Sequence, residues 1–193
     1  CPKSQVANFA TRFDGIVWVD EAYADFADDD CVDLVREHPN LVVSRTLSKG
    51  GCLAGLRLGF AFANPARIAE MMKVKDSYNV STLTQIAGAA ALDDRDYTRT
   101  IAARVRATRE RLQDALRDLG FEVVPSQSNF VFARSPVDAG KLQADLRDRD
   151  IFIRHFPGPR TGDYIRVTVG TDQEIDTFLT TTRALLSKKK KKS

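Results

Sequence analysis

The residues best able to do chemistry lie in one segment, TLSKGG at residues 46–51, followed by an arginine at position 57. Lys49 stands between the hydroxyl of Ser48 and two glycines. Hydroxyls, glycine N–H groups and an arginine fork are the donors that hold a phosphate. A lysine beside such a site can neutralise the phosphate, or can form a Schiff base with an aldehyde that the phosphate anchors.

Asp20 favours the second chemistry. It follows the apolar run IVWV at residues 16–19, which indicates a strand buried in a parallel sheet. Ligands of open α/β sheets lie at the carboxyl ends of strands. A buried carboxylate there needs a cationic partner, and the pyridinium nitrogen of pyridoxal 5′-phosphate (PLP) is such a cation. Tyr23 is close enough in sequence to direct its hydroxyl to the phenolic oxygen of this cofactor.

A nucleotide phosphate loop is the competing interpretation of the lysine segment. That loop has the pattern GxxxxGK[ST], in which a first glycine precedes the lysine by six residues. The segment lacks a glycine at that spacing. One PLP molecule needs a lysine, a carboxylate and phosphate donors together, and separate segments of this chain supply them. We therefore predict a PLP site.

The elements that must position these residues begin with an α/β unit. Apolar runs at 16–19, 41–44 and 58–63 predict three strands buried on both faces, and residues 31–37 predict a helix between the first two. Further helices are predicted at 66–76, at 82–92, which is alanine-rich and expected to be buried, and at 95–119, which Gly120 ends.

The remaining sequence predicts a compact α+β unit. Strands are expected at 121–124, 129–133, 151–154 and 164–169, a helix at 141–149, and a final helix at 173–186 capped by Asp172. We therefore divide the chain into part of a large domain (1–92), a connecting helix (93–120), a small domain (121–187) and a lysine-rich tail (188–193).

Composition excludes several other classes of protein. Five lysines at 188–192 form a run for which we expect a solvated tail, and removing them from the net charge of +3 leaves −2. The balance gives no reason to expect a nucleic-acid or membrane partner. Three cysteines without CxxC spacing, and two distant histidines, predict no structural metal site and favour a reducing compartment, the cytoplasm.

Five motifs together resemble one family. They are VDEAYADF at 19–26, RTLSK with LAGLRLG at 45–59, VKDSYNVS at 74–81, PSQSNF at 125–130 and IRVTVGT at 165–171. In these segments the chain resembles histidinol-phosphate aminotransferases, PLP-dependent enzymes of fold type I. The resemblance extends from about residue 13 to 186. It implies the C-terminal portion of the fold: part of the large domain, with a mainly parallel sheet and helices, and then the small α+β domain.

The resemblance also implies roles for particular residues. Lys49 would hold PLP as a Schiff base and then move the proton between the substrate α-carbon and the cofactor. The other cofactor-binding residues would be Asp20 at the pyridine nitrogen, Tyr23 at the phenolic oxygen, and Thr46, Ser48 and Arg57 at the phosphate.

Four further residues would face the substrate. Arg166 resembles the arginine that binds the substrate anion in this fold, and Arg154 would join it; a surface ion pair is the alternative for Arg154. Tyr78 and Asn79 would face an active site, that of the same chain or of a partner subunit.

By resemblance, the reaction is amino transfer from L-histidinol phosphate to 2-oxoglutarate, a step of histidine biosynthesis. The partners would be small molecules, with no nucleic acid or membrane, and the full-length enzyme would be a homodimer. Two alternatives stay open. One is a related PLP enzyme, such as a threonine-phosphate decarboxylase or an aromatic aminotransferase. The other is a non-catalytic remnant or dimerisation module.

The sequence departs from the family in two respects. The family chain is nearly twice as long, and its N-terminal part supplies an asparagine loop and an aromatic ring that cover PLP. The lysine motif also has GGC at residues 50–52, where an aromatic residue is common in the family. We expect an open sheet edge with exposed apolar surface, and a chain that alone folds poorly and transaminates little.

Overall fold

The computed structural model describes residues 1–190 of the chain. They form two compact units, which divide between Ala102 and Ala103. The division lies inside a helix of 24 residues, Arg95–Asp118, which is called α4 below. Each unit has its own sheet and its own hydrophobic core.

The sheet of the first unit has three strands in the order β1 (Val17–Asp20), β2 (Leu41–Thr46) and β3 (Gly59–Ala63). β1 and β2 are parallel, as the predicted strand–helix–strand unit requires, and β3 is antiparallel to β2. The connection between β1 and β2 contains two short 3₁₀ helices, Ala24–Phe26 and Val32–Arg36. The second replaces the predicted α-helix, because so short a segment gains little from α-helical hydrogen bonding.

Burial on both faces was wrongly predicted for two of these strands. Residues 41–43 of β2 are buried, but Trp18 of β1 is 56% exposed and Phe62 of β3 is also exposed. β1 and β3 are the two edges of the described sheet, so each has a strand neighbour on one side alone. An apolar run therefore indicated the strand correctly but not the number of its neighbours.

A helix for which we made no prediction, α1 (Lys3–Arg12), completes the core of the first unit. Val6 and Ala10, one helical turn apart, are buried against Val17, Leu41 and neighbouring apolar residues. The side-chain nitrogen of Asn40, Nδ2, lies 3.0 Å from three backbone carbonyl oxygens, those of Ala10, Phe13 and Gly15. Asn40 thus fastens the end of α1 to the start of β2.

Two more helices follow β3, α2 (Pro65–Val74) and α3 (Thr82–Asp93). Each begins at a side-chain cap: Asn64 accepts from the N–H of Ala66, and Ser81 accepts from the N–H of Thr84. Our prediction that α3 is buried is wrong, since Leu83 is 78% exposed and Ile86 is also exposed. Alanine forms helices through propensity alone, so an alanine-rich sequence does not decide where the helix lies.

The second unit contains a four-stranded antiparallel sheet in the order β4-β5-β7-β6. Its strands are β4 (Glu122–Val124), β5 (Phe130–Arg134), β6 (Arg154–His155) and β7 (Tyr164–Thr168). One face packs against α4, α5 (Ala139–Arg147) and α6 (Asp172–Lys190), around a core that includes Leu116, Leu146 and Phe178. The opposite face carries aromatic and arginine side chains.

The start of α6 differs from the prediction. Thr171 and Glu174 form a reciprocal cap, in which Glu174 N–H donates to Thr171 Oγ1 and Thr171 N–H donates to Glu174 Oε2, at 3.3 and 2.7 Å. Asp172, the predicted cap, instead binds Arg111 and the hydroxyl of Thr108. α6 continues into the predicted lysine tail as far as Lys190, and the last three tail residues lie outside the described part.

Across residues 1–190, no helix is both long and apolar enough to cross a membrane.

The three cysteines differ in accessibility. Cys31 is buried, whereas Cys1 and Cys52 are exposed. Burial, and then the carboxylate of Glu21, raises the pKa of the Cys31 thiol to about 11.

We expect two thiols, those of Cys1 and Cys52, to react rapidly with a disulfide reagent at about pH 8, and Cys31 to react slowly, because the thiolate is the reactive form. Stopped-flow counting, with Cys31→Ala as control, measures this; three equally fast thiols would contradict it.

Candidate active site

Lys49 lies in a tight turn that begins where β2 ends. The turn is held at both ends by the buried Leu47, whose N–H donates to the carbonyl of Leu58 at 3.1 Å and whose carbonyl accepts from the N–H of Leu53 at 2.9 Å. The side chain of Lys49 itself is partly exposed. The backbone of the turn is thus fixed, while its lysine is accessible.

Two hydroxyls converge beside this lysine. Thr46 Oγ1 lies 2.9 Å from Ser48 Oγ and 3.1 Å from the carbonyl oxygen of Leu58, and it accepts the N–H of Ser48 at 3.1 Å. Thr46 is also opposite Gly59 across β2 and β3, which brings the segment holding Arg57 alongside. Arg57 is exposed, has a left-handed backbone with φ 54°, and donates to the carbonyl of Ala54 at 3.0 Å.

Asp20 and Tyr23 come to the same edge of the sheet as Lys49. β1 and β2 are parallel with Asp20 opposite Ser44, so their carboxyl ends meet at one edge. The Nζ of Lys49 is 5.5 Å from the centre of the Tyr23 ring. Asp20, which we expected to be buried, is exposed because β1 is an edge strand, and its Oδ1 accepts the N–H of Ala22 at 3.0 Å.

Asp25, which we did not single out in the sequence, lies against the lysine turn. A Cβ placed on Gly50 would be 2.2 Å from Asp25 Oδ2 and 2.7 Å from Asp25 Cβ. Burial raises the pKa of the Asp25 carboxyl, and the charge of Arg45 opposes this shift. Asp25 lies within the VDEAYADF motif, but an isolated acid in a 3₁₀ turn after a strand has no pattern that indicates this contact.

Gly50 should therefore not tolerate a side chain. Rotation of the Asp25 carboxylate does not remove the clash, because Asp25 Cβ is also too close. We expect Gly50→Ala to destabilise the first unit by about 1–3 kcal/mol, the usual cost of overpacking, as measured by urea unfolding. Asp25→Gly, which removes the Cβ as well as the carboxylate, should recover much of this loss in the double variant; no recovery would show that the strain arises elsewhere.

Tyr78 and Asn79 are not brought to the lysine turn. They lie in the loop between α2 and α3, where Tyr78 is 86% exposed. The side-chain oxygen of Asn79 accepts from Nζ of Lys75 at 3.2 Å. Their described contacts are local to this loop.

Arg154 and Arg166 lie in the second unit, directly opposite each other on β6 and β7. The guanidinium carbon of Arg166 is 5.1 Å from the centre of the Phe130 ring and 5.4 Å from that of Phe156. The Nε of Arg166 is buried and has no hydrogen-bond partner among the described residues. Like charges facing each other across strands are unfavourable, so this arginine pair is suited to an anion.

The comparisons with known proteins agree with the motifs. The model of the family "aminotransferase class I and II" matches residues 4–181, so the chain belongs to that family. The histidinol-phosphate aminotransferase of Geobacter sulfurreducens is 48% identical over 179 residues, which are 92% of this chain and 51% of the relative. Histidinol-phosphate aminotransferase 2 of Thiobacillus denitrificans is 49% identical over 181 residues, 91% of this chain and 51% of the relative.

A solved structure shares the fold as well. The histidinol-phosphate aminotransferase of Sinorhizobium meliloti in complex with pyridoxal 5′-phosphate superposes with a TM-score of 0.83 at 28% identity, covering 96% of this chain and 54% of that one. The predicted resemblance and fold class are thus confirmed. The chain spans about half the length of the curated relatives it matches.

Proposed function

We propose that this chain is part of a PLP-dependent aminotransferase that transfers the amino group of L-histidinol phosphate to 2-oxoglutarate. The observation that carries the proposal is the lysine turn, where Lys49, the paired hydroxyls of Thr46 and Ser48 and the ring of Tyr23 come together. Relatives at 47–49% identity that bear the name histidinol-phosphate aminotransferase support this choice of substrate.

The donor set of the first unit fits PLP. The cofactor needs an amine for its aldehyde, hydrogen-bond donors for its phosphate and a carboxylate for its ring nitrogen. Lys49 supplies the amine, Thr46, Ser48 and Arg57 supply donors, and Asp20 supplies a carboxylate at the same sheet edge. The exposure of Asp20 is no obstacle, because a bound ring would itself cover it.

The chain's own residues have distinct tasks in this scheme. PLP, when bound, supplies a ring that withdraws electrons from the substrate α-carbon. Lys49 Nζ would take the proton from that carbon and deliver it to the cofactor. Asp20 would keep the ring nitrogen charged, and Tyr23 would direct its hydroxyl to the phenolic oxygen.

The arginine pair would bind the substrate anion. Arg166, whose buried Nε has no hydrogen-bond partner within residues 1–190, and Arg154, directly opposite, offer two positive forks on one face of the sheet. Two forks suit a phosphate or a carboxylate, and L-histidinol phosphate carries the first while 2-oxoglutarate carries the second.

We further propose a homodimer, in which the exposed Tyr78 and Asn79 contribute to an active site.

The decisive experiment traps the cofactor on its lysine. The chain is incubated with PLP, reduced with borohydride and digested, and the modified peptide is identified by mass spectrometry. We expect the adduct at Lys49, its loss in Lys49→Ala, and its retention in Lys141→Ala, which alters an exposed lysine of α5. An adduct spread over surface lysines, or none at Lys49, would reject the proposal.

A second measurement addresses the substrate. Once PLP is bound, L-histidinol phosphate should change its absorption spectrum at lower concentration than phenylalanine or O-phosphothreonine. A stronger response to phenylalanine would indicate an aromatic aminotransferase. A stronger response to O-phosphothreonine would indicate a relative of the decarboxylases.

A further inference from the structure

Arg45, four residues before Lys49, joins two acidic side chains to the end of β2. Its Nε and Nη2 lie 3.0 and 2.9 Å from Glu21 Oε2, and Nη2 also lies 2.9 Å from Asp30 Oδ2. A lysine could not reproduce all of these contacts, because its single ammonium lacks the two separate nitrogen donors of the guanidinium fork.

Glu21 is the centre of this arrangement. Its side chain is 7% exposed, and a charge at that depth is tolerated where a cation and hydrogen bonds compensate it. Besides binding Arg45, its carboxylate accepts the N–H of Cys31, and its own N–H donates to the carbonyl of Ser44 at 2.8 Å. The segment from 21 to 31 is therefore fastened to β2 through Glu21 at both of its ends.

That segment carries the two side chains that contact the lysine turn. Tyr23 lies under the Nζ of Lys49, and Asp25 fills the space against Gly50. The regular structure of the segment is a single 3₁₀ turn, Ala24–Phe26, whose Phe26 is buried. The ion pair therefore ties both ends of this segment to β2, the strand that leads into the Lys49 turn.

We propose that Glu21 and Arg45 are positioning residues of the active site, whose ion pair sets Tyr23 and Asp25 against the Lys49 turn. This inference deepens the proposed function and rests on it for its catalytic meaning. Neither residue is assigned contact with the cofactor. They act through the segment from 21 to 31, which carries Tyr23 and Asp25.

Glu21→Gln tests the proposal, since it keeps the shape of the side chain and removes its charge. Arg45→Lys is a second, milder variant in case the first does not fold. Asp33→Asn is the matched control: it removes an ion pair with Lys3 just beyond the segment, and the Asp33 carboxylate is mostly exposed. Thermal unfolding of every variant is recorded first.

Two readouts are then compared. Hydrogen exchange of peptides covering 21–26 and 46–51 reports on the segment without any cofactor. The rate constant of PLP trapping at Lys49, taken at saturating PLP, reports on alignment of the amine and is separated from PLP affinity. Because misplacement by about 1 Å can cost roughly 100-fold in rate, we expect the saturating rate constant to fall at least about tenfold.

We expect both test variants to exchange faster in the two peptides and to lose trapping rate, while strands of the second unit and Asp33→Asn stay unchanged. Unchanged exchange and an unchanged saturating rate in both test variants would overturn the inference, as would a loss that appears in PLP affinity alone. If wild type forms no Lys49 adduct, the proposed function fails, and hydrogen exchange still decides whether the pair positions the segment.

Discussion

Replacing Lys49 with alanine should lower the rate of substrate deprotonation by roughly 10²–10⁴-fold, the usual contribution of a positioned acid–base group. Lys49 is the amine at the sheet edge where the paired hydroxyls, Tyr23 and Asp20 meet. Loss of α-deuterium from labelled L-histidinol phosphate measures the step directly. The test uses the enzyme completed to the length of its relatives, because this chain spans about half of them.

Three comparisons make that result specific. Lys141→Ala should retain the wild-type rate, and Lys49→Arg should be as slow as Lys49→Ala, because an arginine does not give up its proton. Added methylamine should restore part of the rate to Lys49→Ala. Deuterium loss at more than a tenth of the wild-type rate in Lys49→Ala would assign the proton transfer to another residue.

Arg166→Gln should weaken the use of anionic substrates by about 2–5 kcal/mol, or roughly 30-fold to several thousand-fold in kcat/KM. The guanidinium carbon of Arg166 lies 5.1 Å from the centre of the Phe130 ring and 5.4 Å from that of the Phe156 ring. Its Nε is buried and has no hydrogen-bond partner among the described residues. The loss should appear in KM for L-histidinol phosphate or 2-oxoglutarate, while the circular dichroism spectrum remains unchanged.

A neighbouring arginine supplies the control for this variant. Arg160 is exposed in the loop between β6 and β7, so Arg160→Gln changes the net charge equally and should leave kcat/KM unaltered. Equal losses in the two variants would mean that Arg166 acts through long-range attraction alone. In that case added salt should abolish the difference from wild type.

Local patterns predicted the lysine turn and most of the strands. Hydroxyls, glycines and Lys49 lie within six residues, and an apolar run marks a strand wherever it packs. Burial could not be predicted in this way. Asp20 is exposed because β1 is a sheet edge, and α3 is exposed although its sequence is mostly apolar. Both outcomes depend on which elements are neighbours, information that no single segment contains.

Contacts between distant segments were also missed. Glu21 and Arg45 are 24 residues apart, and each is an ordinary charged residue until the parallel pairing of β1 and β2 brings them together. Thr171 could have been identified as the cap of α6, because a threonine three residues before a glutamate is a known signature. Asp172 was preferred on residue type alone.

The chain contains a single tryptophan, and it lies on the edge strand β1, with its indole N–H donating to the hydroxyl of Ser44 at 3.0 Å. Indole emission depends on contact with water, and this ring is more than half exposed. Trp18 is therefore a built-in optical reporter for that edge. Any polypeptide that covers β1 should shift the fluorescence of Trp18 to shorter wavelength. A titration of that shift measures the affinity of this chain for the added polypeptide without a label.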